Sequence, residues 1–364
     1  MKKIFKTIAM ICIFATIFIA GCSNNSKPSA AENQPMIIKD MAGREIKIDK
    51  EIKKIFGTSP AGSIMLYSLA PDKLIGWNVK LTEEEKAFIP DKYKNLPVLG
   101  GWMGKNATGN AEAILKEEPD LIVHASEIND KEISTATRIQ EQLGIPVIIV
   151  DTSIINSDKA YKFLGEVIEE EAKAEELMSY CRKTLDGAKE LTEKIPQEER
   201  VRVYYAQGIK GLESEPKDSV RSEILNIAGG ENVISSSPNK SSYGHSQISL
   251  EQLIALNPEV ILTRGNIENG KINSPYNMIL NDSNWKSIEA VKNKRVYEVP
   301  QVPFNWFDRP TSVNRIIGIK WLSNLLYEDM ANINIKEEVK EFYKIFYHYD
   351  LTNKELNEIM VNSK

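Results

Sequence analysis

The sequence predicts an α/β protein made of two Rossmann-like lobes joined by a single long α-helix, with a ligand cleft between the lobes. Three observations carry this expectation. Short apolar runs bounded by Pro, Gly, Asp or Asn alternate with helical stretches, as strands buried on both faces of a parallel sheet require. One pattern of cap, helix, proline and buried strand occurs twice: Asn110-Ala-Glu112-Ala-Ile-Leu with Pro119-Asp120-Leu-Ile-Val, and Ser249-Leu-Glu251-Gln-Leu-Ile with Pro258-Glu259-Val-Ile-Leu. Between the two, from Asp158 to Ile195, charged and apolar residues alternate at helical spacing, and no proline intervenes until Pro196.

A chain of 364 residues is long enough for two domains. Hydrophobic residues make up 42% and charged residues 27%, a composition that folds in water. The net charge of −5, without a polybasic block, excludes nucleic acid as a partner. Three cysteines and three histidines are scattered through the chain, too few and too dispersed for a disulfide framework or a closed zinc cage.

In chain order, Lys2, Lys3 and Lys6 precede an apolar run from Ile8 to Ala20, too short to cross a bilayer comfortably and ended by small residues. Residues 1–21 therefore read as a signal peptide. Ile19-Ala20-Gly21-Cys22 looks like a bacterial lipobox, so Cys22 is expected to carry lipid after cleavage. Loss of the three lysines brings the net charge to −8, which disfavours an anionic membrane surface and leaves the lipid as the anchor. Residues 22–35 have almost no large apolar side chain and form the tether. The expected location is the extracytoplasmic face of the cell membrane.

The N-terminal lobe is assigned to residues 36–157. A hairpin turns at Asp40-Met41-Ala42-Gly43-Arg44; strands follow at Ile55–Gly57, Leu74–Trp77, Asp120–Val123 and Val147–Val150. Helices are expected at Ala61–Leu69, Ala111–Lys116 with Asn110 as cap, and Thr135–Leu143. Residues 158–195 form the inter-lobe helical region, with Gly165 as an early break and a 25-residue helix from Glu171 to Ile195 spanning about 37 Å. The C-terminal lobe, residues 196–364, has strands near Val201–Tyr205, Val260–Thr263 and Val296–Val299 and helices near Ser219–Ala228, Leu250–Leu256 and Val313–Leu326. Cys181, at helical spacing from Leu177 and Leu185, reads as a small core residue.

No catalytic signature appears. Gly100 to Asn106 has the wrong spacing for a phosphate loop and lacks the Ser or Thr that binds magnesium. No GxSxG elbow is present. The chain reads as a non-enzyme with no cofactor, because the rival reading, an anchored hydrolase, lacks a catalytic set.

Ligands of open α/β sheets bind beyond the carboxyl ends of the strands. Arg264 ends such a strand and places a cation there. Trp102 lies in a glycine-framed loop, and Tyr243 and His245 in a polar loop ahead of a helix, where a neutral imidazole could ligate a metal. Val302-Pro303-Phe304-Asn305-Trp306-Phe307-Asp308-Arg309-Pro310 combines aromatics with an arginine, an apolar wall with one anion-binding prong. The candidate ligand-binding residues are therefore Trp102, Tyr243, His245, Arg264, Asn305, Trp306 and Arg309, with His245 the candidate metal ligand. The two arginines are expected to meet negative charge, and Trp102 and Trp306 to cover apolar faces of the ligand.

The hairpin at Asp40–Arg44, the segments Ala70–Gly76, Glu112–Val123, Ile224–Asn232 and Ser249–Leu262, and the long helix together resemble the substrate-binding lipoproteins of ABC importers that carry metal chelates: siderophores, haem and cobalamin. The resemblance covers nearly the whole mature chain. It implies a monomer that captures an iron-siderophore or similar small-molecule metal complex and delivers it to an ABC permease and its ATPase. Pro303–Pro310 looks like a branch linked to nickel or iron chelates, and a further relative type binds molybdate or tungstate, so nickel or cobalt chelates and oxyanions stand as alternatives. The resemblance also implies that Glu112 and Glu251, matching a glutamate in each lobe of the family, dock to permease arginines.

Overall fold

The computed structural model describes residues 35–102, 108–235, 246–268 and 271–364. Strands β1 (Met36–Lys39) and β2 (Glu45–Ile48) form the antiparallel hairpin. Asp40 Oδ1 accepts the amides of Ala42 and Arg44 at 3.1 and 2.9 Å, which closes the turn. Its Oδ2 accepts the amide of Ile149 at 3.0 Å and so pins the hairpin to the first sheet.

Among the described residues that sheet has parallel strands β3 (Ile55–Gly57), β4 (Leu121–Ser126) and β5 (Val147–Asp151), in that order. Leu74–Trp77 contributes isolated bridges, Leu74 to Ile55 and Trp77 to Val98, rather than a strand, because the segment changes partner within four residues. The second sheet holds β6 (Arg202–Ala206), β7 (Glu231–Asn232), β8 (Val260–Thr263) and β9 (Val296–Glu298), parallel and ordered β9-β8-β6-β7. Each apolar run is buried on both faces, and the period of two sorts its residues. Phe56, Ile122, Val147 and Ile149 face an outer cluster of the first sheet, and Tyr204, Ala206, Ile261 and Val296 an outer cluster of the second. Ile55, Leu121, Val123 and Ile148 share one continuous inner cluster with Val203, Tyr205, Val260 and Leu262.

The helices of the inner layer make that cluster continuous. Helix α1 (Pro60–Leu69) is capped by Ser59, whose side chain accepts the amide of Gly62, and starts with a proline at its first turn. On the outer face of the first sheet, helices α2 (Ala111–Lys116) and α3 (Asp130–Leu143) are capped by Asn110 and Asn129, and their Ile114, Ala136 and Ile139 join its outer cluster. Helices α4 (Ser157–Ile168) and α5 (Glu171–Thr192) fill the chain between β5 and β6. The 22 residues of α5 span about 33 Å. The break before α5 is at Glu169, in the left-handed conformation with φ 58°, and not at Gly165. Gly165 serves close packing instead: a Cβ there would lie 2.3 Å from that of Ala174. Cys181 is fully buried, and burial pushes its thiol far above its usual range.

In the second half, α6 (Glu223–Ile227) and α7 (Leu250–Leu256) are followed by α8 (Asn314–Leu326) and α9 (Ile335–Tyr347). Helix α9 crosses back to the first half, where the Tyr67 hydroxyl on α1 donates to Tyr347 O at 2.6 Å and the His348 ring meets Tyr67 O at 3.0 Å. The helices after β9 thus serve both sheets, and residues 35–364 form one compact unit.

Candidate functional site

The carboxyl ends of the first sheet form a closed polar network. After β3, the Thr58 hydroxyl lies 2.8 Å from His124 Nδ1, and His124 Nε2 lies 3.0 Å from Glu132 Oε2. Burial, only partly offset by Glu132, lowers the His124 pKa, so the ring is neutral at pH 7. Asn78 donates to Gly57 O and Gly100 O, both at 2.8 Å, and its Oδ1 accepts the Ser63 hydroxyl at 2.7 Å. This network fixes the turn from β3 into α1 and the start of the loop that carries Trp102, whose amide donates to Thr58 O at 2.9 Å.

The carboxyl ends of the second sheet carry charge. Arg264 follows β8, and its amide donates to Ala206 O, prolonging the pairing with β6 by one residue. Its Nε lies 3.7 Å from Asp308 Oδ1 and has no hydrogen-bond partner. Asp308 is fully buried in the loop after β9 and accepts the Tyr205 hydroxyl at 2.9 Å. Burial outweighs Arg264 and Tyr205 and pushes the Asp308 carboxyl up to about 6. Arg309 reaches Asp308 Oδ2 at 3.5 Å and Glu215 Oε1 at 3.2 Å. Glu215, also fully buried, holds Arg221 at 3.3 Å and accepts the Ser219 hydroxyl at 3.0 Å. Three guanidinium groups thus surround two buried carboxylates. Ser312, in the same loop, donates to Ala61 O at 2.7 Å and ties this cluster to the start of α1 in the other half. Gln207, at the end of β6, is 1% exposed, yet neither end of its amide has a partner. It lines a cavity of about 560 Å³ together with Ile209, Lys210, Leu212 and Gln247.

The structure brings Arg264 and Arg309 together around Asp308, which the sequence had not singled out. Trp306 is corrected: it is fully buried, with ring centroids 6.4 Å from Trp321 and 6.5 Å from Tyr343, and so belongs to the core and cannot cover a ligand. Asn305 is corrected too, because its Oδ1 accepts the amides of Phe307 and Asp308 and its Nδ2 donates to Gln301. It shapes the loop that presents Asp308 and Arg309. Tight packing of that loop on α8 explains both: a Cβ on Gly318 would lie 1.9 Å from Trp306 O. Trp102 is half-buried and packs over Gly109 on the outer cluster of the first sheet. Tyr243, His245 and Cys22 lie outside the described residues. Asp308 and Glu215 were missed because the arginines they gather, Arg264 and Arg309, are 44 and 94 residues away in the chain, and Arg221 gains its place only through Glu215, although the acidic side chain before Arg309 in an aromatic run was a usable signal.

Glu112 and Glu251 are exposed two positions after the caps of α2 and α7. The repeat extends further: the Asp120 carboxylate accepts the amides of Lys53 and Lys54 at 2.8 and 2.9 Å, and Glu259 accepts that of Arg202 at 2.9 Å. Each acid fixes its strand to the one beside it.

A solved structure of an ABC transporter solute binding protein from Sulfurospirillum deleyianum superposes with a TM-score of 0.80 at 33% identity, covering 89% of this chain and 99% of that one. The uncharacterized ABC transporter substrate-binding lipoprotein YvrC of Bacillus subtilis is 25% identical over 332 residues, 87% of this chain and 95% of its own. The high-affinity heme uptake system protein IsdE of Staphylococcus aureus strain RF122 is 29% identical over 247 residues, 66% of this chain and 78% of its own. Residues 71–303 match the periplasmic binding protein family. With its two parallel sheets, its charged strand-end cluster and these relatives, the chain belongs to that family, as a substrate-binding protein of an ABC transporter and not an enzyme.

Proposed function

We propose that the protein captures a metal chelate bearing peripheral negative charge, an iron-siderophore complex or a similar one, outside the membrane and hands it to its permease. One observation carries this reading. At the carboxyl edge of the second sheet, Arg264 and Arg309 are partly exposed above a buried carboxylate, and Gln207, directly after β6, has an unpartnered amide. Permanent cations suit an anionic, oxygen-rich ligand. Trp102 supplies an apolar contact from the first half, with Tyr243 and His245, singled out by the sequence, as further contacts. Lipid on Cys22 anchors the chain through its tether, a reading supported by the lipoprotein character of YvrC. Glu112 and Glu251 dock to the permease.

The test is a thermal-melting panel with ferric hydroxamate and catecholate complexes, haem, nickel and cobalt chelates, molybdate and tungstate, together with elemental analysis of co-purified ligand. A ligand that binds raises the melting temperature as RT ln(1 + [L]/Kd). Charge-assisted hydrogen bonds contribute about 1.5–3 kcal/mol, so Arg264→Ala or Arg309→Ala should weaken that ligand about ten- to a hundredfold by calorimetry. Unchanged affinity in both variants would place the site elsewhere. The same arginines favour a bare oxyanion as the second reading, and a response to molybdate or tungstate alone would establish it.

A further inference from the structure

Helices α2 and α7 are the same object in the two halves. Each begins with a side-chain cap on the third amide, Asn110 on Ala113 at 3.0 Å and Ser249 on Gln252 at 3.2 Å. Both bury one residue completely, Ile114 and Leu253, and both turn a carboxylate to solvent, Glu112 and Glu251. Each leads through a proline and an acid into the central one of three consecutive strands, β4 between β3 and β5, and β8 between β6 and β9.

The correspondence reaches one residue further. Leu115 is 44% exposed and Ile254 37% exposed, and each lies three positions after its glutamate. Residues three apart share a helix face, so each carboxylate has a large aliphatic side chain as its neighbour. Scattered exposed aliphatics are ordinary on protein surfaces. Two at the same place in two halves with different sequences are not accounted for by local packing, since Ile114 and Leu253 already fill the core beneath them.

We infer that Leu115 and Ile254 are apolar anchors of a docking surface presented twice, and that its occupant is the importer's permease, through a surface that offers two like pockets, each apolar in its floor and basic at its rim. The inference rests on the docking role proposed for Glu112 and Glu251. Charge complementarity selects the occupant: the two helices carry one basic residue between them, Lys116 at the end of α2, and the carboxylate beside each aliphatic group disfavours a lipid surface or another acidic one. The glutamates steer and orient; the aliphatic side chains, desolvated on contact, slow dissociation.

The experiment measures binding of the full lipid-free chain to the importer's permease and ATPase in proteoliposomes, by affinity and by stimulated ATP hydrolysis, across a series of potassium chloride concentrations. Leu115→Gln with Ile254→Gln should weaken binding about tenfold or more, with an unchanged salt dependence and an unchanged melting temperature. Each single substitution should give about half the logarithmic effect. Glu112→Gln with Glu251→Gln should weaken binding and flatten its salt dependence. A normal affinity in the Leu115/Ile254 pair, with a defect in the glutamate pair, overturns the anchors and leaves the docking role standing. Normal binding by both pairs overturns the docking role itself. An effect at one aliphatic residue only overturns the repeated surface. Should the glutamine variants melt early, Leu115→Ala with Ile254→Ala decides the same question with less change in polarity.

Discussion

The carboxyl ends of β3, β4 and β5 and those of β6, β8 and β9 are built alike and finished differently. On the first sheet, Asn78 is 5% exposed and every polar atom of its side chain is used; on the second, Gln207 is 1% exposed and its amide has no partner at either end. Thr58, His124 and Glu132 form a closed chain, whereas Arg264 Nε and Asp308 Oδ2 each face an opposite charge without a hydrogen bond. Ser126 Oγ is an exception on the first sheet. An unsatisfied buried polar group costs about 1–3 kcal/mol, so a fold keeps several together only where something besides the chain completes them. The first edge is a closed platform, and the second keeps unpartnered polar atoms, as the proposed ligand site requires.

The largest expected effect tests the platform. Asn78→Ala strips partners from Gly57 O, Gly100 O and the Ser63 hydroxyl, and should destabilise the protein by about 3 kcal/mol in denaturant titrations. A loss below about 1 kcal/mol would mean that this edge is no more closed than the other. The next prediction concerns Asp308. A carboxyl raised in the folded state binds a proton that the unfolded chain has released, so its contribution is present at low pH and is lost as pH rises through about 6. Asp308→Asn cannot ionise, and its stability relative to the parent should rise by about 1–2 kcal/mol between pH 5 and pH 7.5. His124, whose pKa burial lowers, acts with the opposite sign, losing stability as pH falls below its unfolded value of about 6.5, and cancels from this difference because both proteins contain it. A gap that does not change with pH would show that the arginines fully compensate the buried charge. The smallest effect is the sharpest contrast with Asn78. Gln207→Leu replaces an unpartnered amide with an apolar group of similar volume and should stabilise the free protein by about 0.5–1 kcal/mol while weakening its ligand. Melting curves with and without ligand would separate the two, and a destabilised free protein would indicate that the amide is structurally engaged.

Much of the architecture was legible because it rests on local patterns. Short apolar runs gave β3, β5 and β8 nearly residue for residue and the start of β4, which continues three residues beyond Val123 to Ser126, and the side chains of Asn110 and Ser249 marked the starts of α2 and α7. Helix α3 starts earlier than periodicity indicated, at Asp130, because its first turn is polar and is held by the Asn129 cap. Of the candidate site, Arg264 was legible because a cation ended a buried strand. Trp306 and Asn305 were misread because composition reveals that a loop is aromatic but not which way each ring points.

By itself, then, the order of residues determined two parallel sheets and the repeated helix and strand, since each depends on spacing within a short stretch. Only the tertiary structure decided that one inner core runs through both halves, that α9 returns to α1, and that Asp308 and Glu215 gather Arg264, Arg309 and Arg221. The physical reason is separation along the chain. Tyr67 meets Tyr347 across 280 positions and Tyr205 meets Asp308 across 103, and contacts at that distance are set by how finished elements pack, which no local pattern records.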